Sequence, residues 1–447
     1  MIKLTRILFL RLIMPVAGVL FCIPSSFANP AYTATPDNYL ARLRALEPGG
    51  NLLLMPGEYK DGLPVRHLCG TAQAPIVIRG PDSEPRAVFV ARPGHNTVSI
   101  LNSSYVTIRD LDLDGRNLPV DGVKCEGHAD WAHHITLDGL RIWGHGNNQH
   151  IAGISTKCPA WGWVIRNNVI ERAGTGLYLG NSDGRAPFIA GLIEHNLIVG
   201  TIGYNVQIKH QQPRPALPEM PPDGSATIVR HNVFSKASAG SRKMARPNML
   251  VGHWPLTGPG ANDRHLVYGN LFHQNLHESL FQGEGNIALY NNLLVNHSGD
   301  AVRIQPHNGS PGRISIFNNT VIAKKSGITI LRRRHDPADR QVVTANIVFA
   351  QSPMRGAPPE GNLTGTLGEA RDFLARPFAP LGEMNLMPAV KVRKHAADVP
   401  FFHAYPESGL DFDGDLHGAS RLGAYALDKQ RPNRLPELAI KPLAGKK

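Results

Sequence analysis

One short signature returns along this chain: a strand-like run, an asparagine, then two or three apolar residues. It is centred on Asn168, Asn196, Asn232, Asn270, Asn292, Asn319 and Asn346, with degenerate earlier copies at Asp110 and Gly139. Successive spacings are 29, 29, 28, 36, 38, 22, 27 and 27 residues. Periods of this size mark solenoids. The segments between the marks are short alternating or apolar runs broken by Gly, Asn and Asp, which read as strands. Asparagine tolerates the left-handed backbone of a sharp bend, and stacked copies can join in a side-chain amide ladder. The expected fold is therefore all-β, a right-handed parallel β-helix over roughly residues 50–350. Each rung of such a stack buries its apolar face only against its neighbours, so both ends need covers.

Both ends supply them. Residues 29–49 include Leu40, Leu43 and Leu46 at helical spacing, an amphipathic turn suited to an open sheet edge. Residues 351–447 lose the repeat and form an irregular capping segment rich in proline. Ahead of the cap, Lys3, Arg6 and Arg11 precede or interrupt an apolar run from Ile7 to Ile23, which closes on Ser25, Ser26, Phe27 and Ala28. This pattern predicts a signal peptide over residues 1–28, cut after Ala28. A periplasmic or extracellular monomer with no membrane span is expected.

Charge narrows the partner. The formal charge is +12, of which +9 remains without the three leader cations. Such an excess favours a polyanion. For an exported chain without a basic tail, that points to acidic polysaccharide and away from nucleic acid. Cys22 leaves with the leader, so Cys69, Cys125 and Cys158 remain and cannot all pair; a Cys125–Cys158 disulfide suits an oxidising compartment.

Between the asparagine marks lies a second strand per coil, and these strands can be laid over one another by their apolar beats. Val123, Ile154, Leu177, Val206, Met249, Leu280, Val302 and Ile328 are then inward. The next position outward reads Lys124, Ser155, Tyr178, Gln207, Leu250, Phe281, Arg303 and Thr329. Two further on stand Glu126, Lys157, Gly180, Lys209, Gly252, Gly283 and Gln305, with His210, His253, Glu284 and His307 at the strand ends. An outward face is solvated, so polar residues alone there mean little. This strip coincides with long insertions at 210–224, 235–246 and 255–263, and such loops usually wall a groove. A slip of one residue in the alignment would exchange inward for outward.

The order NVQIKHQ, RPNMLVGHW, YGNLF, DAVRIQPHN resembles the central coils of the β-helix lyases that include alginate lyase and chondroitinase B. The resemblance implies cleavage of a uronate polysaccharide by β-elimination, with Lys209 as base and Arg303 as acid or carboxylate neutraliser. His210 or His253 would be the substitute base. Lys157, Gln207, Gln305 and His307 would bind sugar, and Tyr178, Trp254 and Phe281 would offer stacking faces. The Arg-His-Gly usual in that family is replaced by Val251, Gly252 and His253. Of the calcium-holding acids of some members, only Glu284 and Glu278 have counterparts, so calcium is the one cofactor implied.

Other readings share the fold. QPHN at 305–308 resembles the Asp-Pro-His-Asp of alginate C5-epimerases, with His307 as counterpart and both acids altered. Gly144-His145-Gly146 resembles one motif of polygalacturonase-type hydrolases, without the paired carboxylates that hydrolysis needs. A non-catalytic, glycan-binding envelope protein is the alternative from another class. The histidines at 128, 133, 134, 145 and 150 fall on turns without repeated ligand spacing, so zinc is not expected from the sequence.

Overall fold

The computed structural model describes residues 31–442 except 241, 244, 334–340, 396–399, 419–420 and 428–431. The leader segment 1–28 lies outside the described residues. The chain winds as a right-handed parallel β-helix whose coils contribute strands to three lengthwise faces. The first face runs from Ala31–Ala34 through Ala132–Asp138 and Ala226–Arg230 to Gln341–Thr344. The second runs from Gly57–Tyr59 through Val169–Glu171 and Leu271–Asn275 to Leu363–Gly365. The third holds Leu63–Arg66, Val98–Leu101, Val123–Cys125, Ala152–Thr156, Thr175–Leu179, Val206–Ile208, Met249–Val251, Phe281–Gly283 and Val302–Ile304. Two long strands, Thr320–Ile330 and Ile347–Arg355, span the second and third faces together.

The asparagine signature marks the corner between the first and second faces. Each side-chain amide donates to the next side-chain oxygen, from Asn168 through Asn196, Asn232, Asn270, Asn292, Asn319 and Asn346 to Asn362, at 2.9–3.0 Å. The same oxygens accept the preceding asparagine's backbone N–H. The left-handed residue of the bend is not the ladder asparagine but the one before it: Asn167, His195, His231, Gly269, Asn291, Asn318 and Ala345 all have φ between 52° and 65°. The ladder residue turns inward, where its polar groups need partners; the preceding residue makes the turn. A second asparagine cluster, Asn248, Asn275 and Asn296, fills the corner between the second and third faces.

Alternation along the strands packs the interior with Val, Ile and Leu, as at Ile108, Leu137, Ile154, Leu177, Val206 and Ile316, all fully buried. At the N-terminal end the helix Tyr39–Arg44 buries Tyr39 and Leu43, and the Tyr39 ring meets Tyr59 edge-on at 5.0 Å. Cys125 and Cys158 are disulfide-bonded on successive coils, and Cys69 is free and exposed.

Beyond Gly365 the chain turns back along the outside of the stack. Leu374, Leu386, Phe412, Leu422 and Tyr425 pack on Val233, Leu271, Leu293 and Phe349 of the second face. Phe402 and Tyr405 cover Phe317 and Tyr290 on the first, with the Phe402 and Phe317 rings stacked at 3.6 Å. Among the described residues the tail thus covers the central coils of two faces and leaves the third to the inserted loops.

Candidate functional site

The site grows out of the strand Val206–Ile208. Val206 and Ile208 point into the core, Gln207 points out, and Lys209 follows at the strand end, also outward. The Lys209 backbone N–H donates to Leu179 and that of Gly252 to the Ile208 carbonyl, which fixes three coils in register. Register places Gly180 and Gly252 beside Lys209 on either side. A Cβ on Gly252 would lie 2.2 Å from the His210 nitrogen, so only glycine fits that close approach. Two neighbours without side chains leave the lysine open space along the groove.

That space is a cavity of about 400 Å³ lined by Gln207, Lys209, His210, Arg246, Gln282, Gln305 and His307, with Tyr204, Glu278, Glu284 and Asn308 among its other walls. Burial lowers the Lys209 pKa from the ordinary lysine value, and the Arg246 guanidinium lowers it further. Among the described residues the Lys209 ammonium has no hydrogen-bond or ion-pair partner; it lies 5.7 Å from the centroid of the Tyr178 ring. Burial and the Lys209 charge lower His210, opposed by Glu284 and Asp183. Lys157, on the coil two strands away, falls to about 8, through burial first, against the pull of Asp121 and with Lys124 and Lys209 adding to the fall.

Several expected residues are not where alternation of apolar beats put them. Register pairs Met249 with Phe281, Leu250 with Gln282 and Val251 with Gly283. Phe281 is therefore inward and fully buried, and the outward position belongs to Gln282. Leu280 and Phe281 are adjacent and both buried, so the apolar beat could be counted from either, and counting from Leu280 shifts the strand by one. Trp254 is 2% exposed and stacked on His265 at 4.4 Å, so it too offers no face to a ligand. Tyr178 is on the outward row, yet the Lys157 ammonium sits 3.2 Å from its ring centroid and its hydroxyl pairs with Ser182. Its ring thus carries Lys157 instead of presenting a bare stacking face.

Glu284 also has another occupation. One carboxylate oxygen accepts the His307 and Asn308 backbone N–H groups at 2.7 Å, and the other accepts the Asn308 side-chain amide at 2.8 Å. It ties down the 305–308 loop. Glu278 accepts the Ser279 N–H at 2.9 Å. Neither acid belongs to a group of three or more close potential metal ligands among the described residues.

Arg303 lies three strands from the Lys209 coil, about 14 Å of backbone at the usual ~4.8 Å strand spacing. Its Nε donates to Gln305 at 2.7 Å, and it stands beside the cavity and outside its lining. His253 turns toward the neighbouring loop, its Nε2 3.2 Å from the Ser310 carbonyl, and is likewise outside the lining. The cation that does face Lys209 is Arg246, at the end of the 235–246 insertion. The loop was legible as a wall; which of its residues reaches the groove depends on its path, which no periodicity encodes. In Gly144-His145-Gly146 the two glycines line a separate cavity, while His145 is fully buried with Nδ1 2.9 Å from the Val120 carbonyl.

No protein-family profile matches the chain, and no curated protein matches it in sequence. Solved structures with a similar course include an alginate lyase from Paenibacillus sp. str. FPU-7, at 18% identity over 75% of this chain and 97% of that one, TM-score 0.37. A pectate lyase shows 12% identity over 91% and 92%, TM-score 0.34. An α-1,3-glucanase from Streptomyces thermodiastaticus shows 13% over 76% and 69%, TM-score 0.45. These likenesses assign no activity to this chain.

Proposed function

We propose that this chain cleaves an acidic, uronate-containing polysaccharide by β-elimination, with Lys209 as the base. The observation that carries the reading is a half-buried lysine, its ammonium without a hydrogen-bond or ion-pair partner among the described residues, held beside Arg246 in an open groove of amides and imidazoles. The C5 proton of a uronate becomes acidic once the adjacent carboxylate is neutralised, and a fixed guanidinium supplies that charge. Arg246 takes this role within the cavity, and Arg303, held by Gln305, takes the carboxylate of a neighbouring sugar. Neutral Lys209 removes the C5 proton; the electron pair forms the C4–C5 double bond, the C4–O4 bond breaks, and O4 leaves with a proton. The nearest proton is the one Lys209 has just taken, if the leaving oxygen lies on the same face of the sugar. Gln207, Gln282, Gln305 and His307 would bind sugar hydroxyls, and Lys157, two strands from the Lys209 coil, would extend the track for the anionic polymer along the axis.

The partner is thus acidic polysaccharide and not nucleic acid, and the leader segment would deliver a monomeric enzyme to the periplasm or beyond. Among the described residues, no helix is long and apolar enough to cross a membrane. A second reading rests on Glu278 and Glu284, which share the cavity and would serve a hydrolase. Glu284 fits it poorly, since both its oxygens already accept hydrogen bonds from the 307–308 segment. Ultraviolet absorbance of the conjugated product, followed on a panel of uronate polymers, tests the proposal. Growth on one polymer is expected, and Lys209→Met should reduce it about 10²- to 10⁴-fold. New reducing ends without absorbance would replace the lyase by the hydrolase; an altered epimer ratio without cleavage would replace it by an epimerase.

A further inference from the structure

On the first face, outside the lining of the groove, two adjacent histidines point the same ring nitrogen at one another. His133 Nδ1 and His134 Nδ1 are 2.8 Å apart. Adjacent strand residues normally face opposite ways, but His134 has φ 51°, a left-handed bend that brings its ring round beside its neighbour's. Each ring is clamped. His133 stacks on Trp161 at 4.5 Å with a 10° interplanar angle, and His134 on Tyr105 at 4.4 Å and 4°. Under His134 lies Gly162, where a Cβ would come within 2.9 Å of the ring. Into this pair comes Glu219 from the 210–224 insertion; one ligand atom from each of the three residues lies within 4.8 Å of the others. The Tyr105 hydroxyl donates to Glu219 Oε2 at 2.6 Å, which leaves the other carboxylate oxygen for a further partner.

We propose that His133, His134 and Glu219 form a binding site for a divalent transition metal of the zinc type. Two imidazole nitrogens and one carboxylate are a donor set suited to Zn²⁺ or Co²⁺, with a fourth position left for water. With a proton alone, one of the facing nitrogens donates and the other accepts; a cation between them uses both lone pairs. Tyr105 orients the carboxylate in the manner of outer partners at metal sites. The consequence is mechanical. The insertion starts at His210, directly after Lys209, and meets the first face at Glu219, so metal would fix the loop that leaves the groove.

The sequence pattern argued against zinc because the five histidines were read as turn residues without a repeated ligand spacing; His133 and His134 lie instead in the strand Ala132–Asp138, and the acid comes from a loop several coils later. Titration of the purified full chain with Co²⁺ tests the site. One equivalent should bind with the visible absorption of a low-coordinate imidazole site, and Zn²⁺ should displace it. Glu219→Gln and His134→Gln should each weaken binding at least about tenfold. Glu219 is exposed, so its variant keeps the test valid even if His134→Gln fails to fold. Zn²⁺ should also slow amide hydrogen exchange over residues 216–223 in the wild type and leave it unchanged in Glu219→Gln. Absence of stoichiometric binding, or equal affinity in wild type and Glu219→Gln, would overturn the proposal.

Discussion

The corner between the first and second faces and the outer surface of the third are built from the same coils, yet they differ in almost every respect. At the corner each coil from Asn168 to Asn362 places the same side chain in the same contact, and its amide and oxygen are used by the neighbouring rungs. On the third face each coil places something different: Lys157, then Gly180, Lys209, Gly252, Glu284 and Gln305 along one row. Repetition is what a stack needs, because every rung must satisfy its buried polar groups in the same way. A site needs the opposite, since a base, a charge neutraliser and sugar donors are different groups. The third face can carry that variety because, among the described residues, its central coils are not covered by the tail, which packs on the other two.

The comparison breaks if the ladder proves dispensable. Asn270 donates to Asn292 and to the Val229 and Tyr268 carbonyls, and accepts from two nitrogens of Asn232. Asn270→Ala leaves several buried groups without partners at about 1–3 kcal/mol each, so a loss of about 3–5 kcal/mol is expected. Thermal unfolding should report it as a clearly lower Tm. Lys209→Met, by contrast, should leave the Tm near the wild-type value, since the ammonium has no hydrogen-bond partner to lose among the described residues. Equal destabilisation by the two changes would erase the distinction between ladder and site.

A smaller effect concerns charge within the groove. Lys209 acts as base only when neutral, so activity should rise with pH through its folded pKa, which lies below the ordinary lysine value. Burial is the main cause and Arg246 the second. Removing Arg246 removes a positive neighbour, so the Lys209 pKa moves up and the rising limb moves to higher pH. In Arg246→Gln the limb of kcat/KM should shift in that direction, with activity at its plateau down about 10- to 100-fold through the lost carboxylate partner. An unmoved limb would remove Arg246 from the site.

What could be read from the sequence divides along the same line. The ladder was visible because it repeats one residue type at a period, and the parallel stack follows from it. The inner positions Ile154, Leu177 and Val206 were also legible, because each stands as a single aliphatic residue after Gly or Asn and before an outward residue; Met249 and Val302, beside Leu250 and Ala301, were placed by laying their strands over these. Alternation failed at Leu280 and Phe281, where two adjacent buried residues leave the beat undefined. It also gave no sign that the residue before each ladder asparagine would be the left-handed one. Arg246 and Glu219 were out of reach for another reason: both arrive on insertions, and a loop's landing point is set by packing across coils far apart in sequence. The uses found for Glu284 and Tyr178 likewise depend on neighbours, the 305–308 loop and Lys157, that only the fold brings close.

The register at Phe281 offers the finest test of the division between inside and outside. If Phe281 is core and Gln282 lines the groove, the two positions should respond in opposite ways. Phe281→Leu removes buried volume and should cost about 1–2 kcal/mol of stability while leaving KM for the polymer unchanged. Gln282→Ala removes one hydrogen-bonding side chain from the cavity wall, and at about 0.5–1.5 kcal/mol should raise KM about 2- to 10-fold with little change in Tm. The reverse pattern would move the strand by one residue, return Phe281 to the groove and take Glu284 off the row it shares with Gly252 and Gln305. Because one step of register exchanges the two faces of a strand, this pair of variants decides the position of the whole coil.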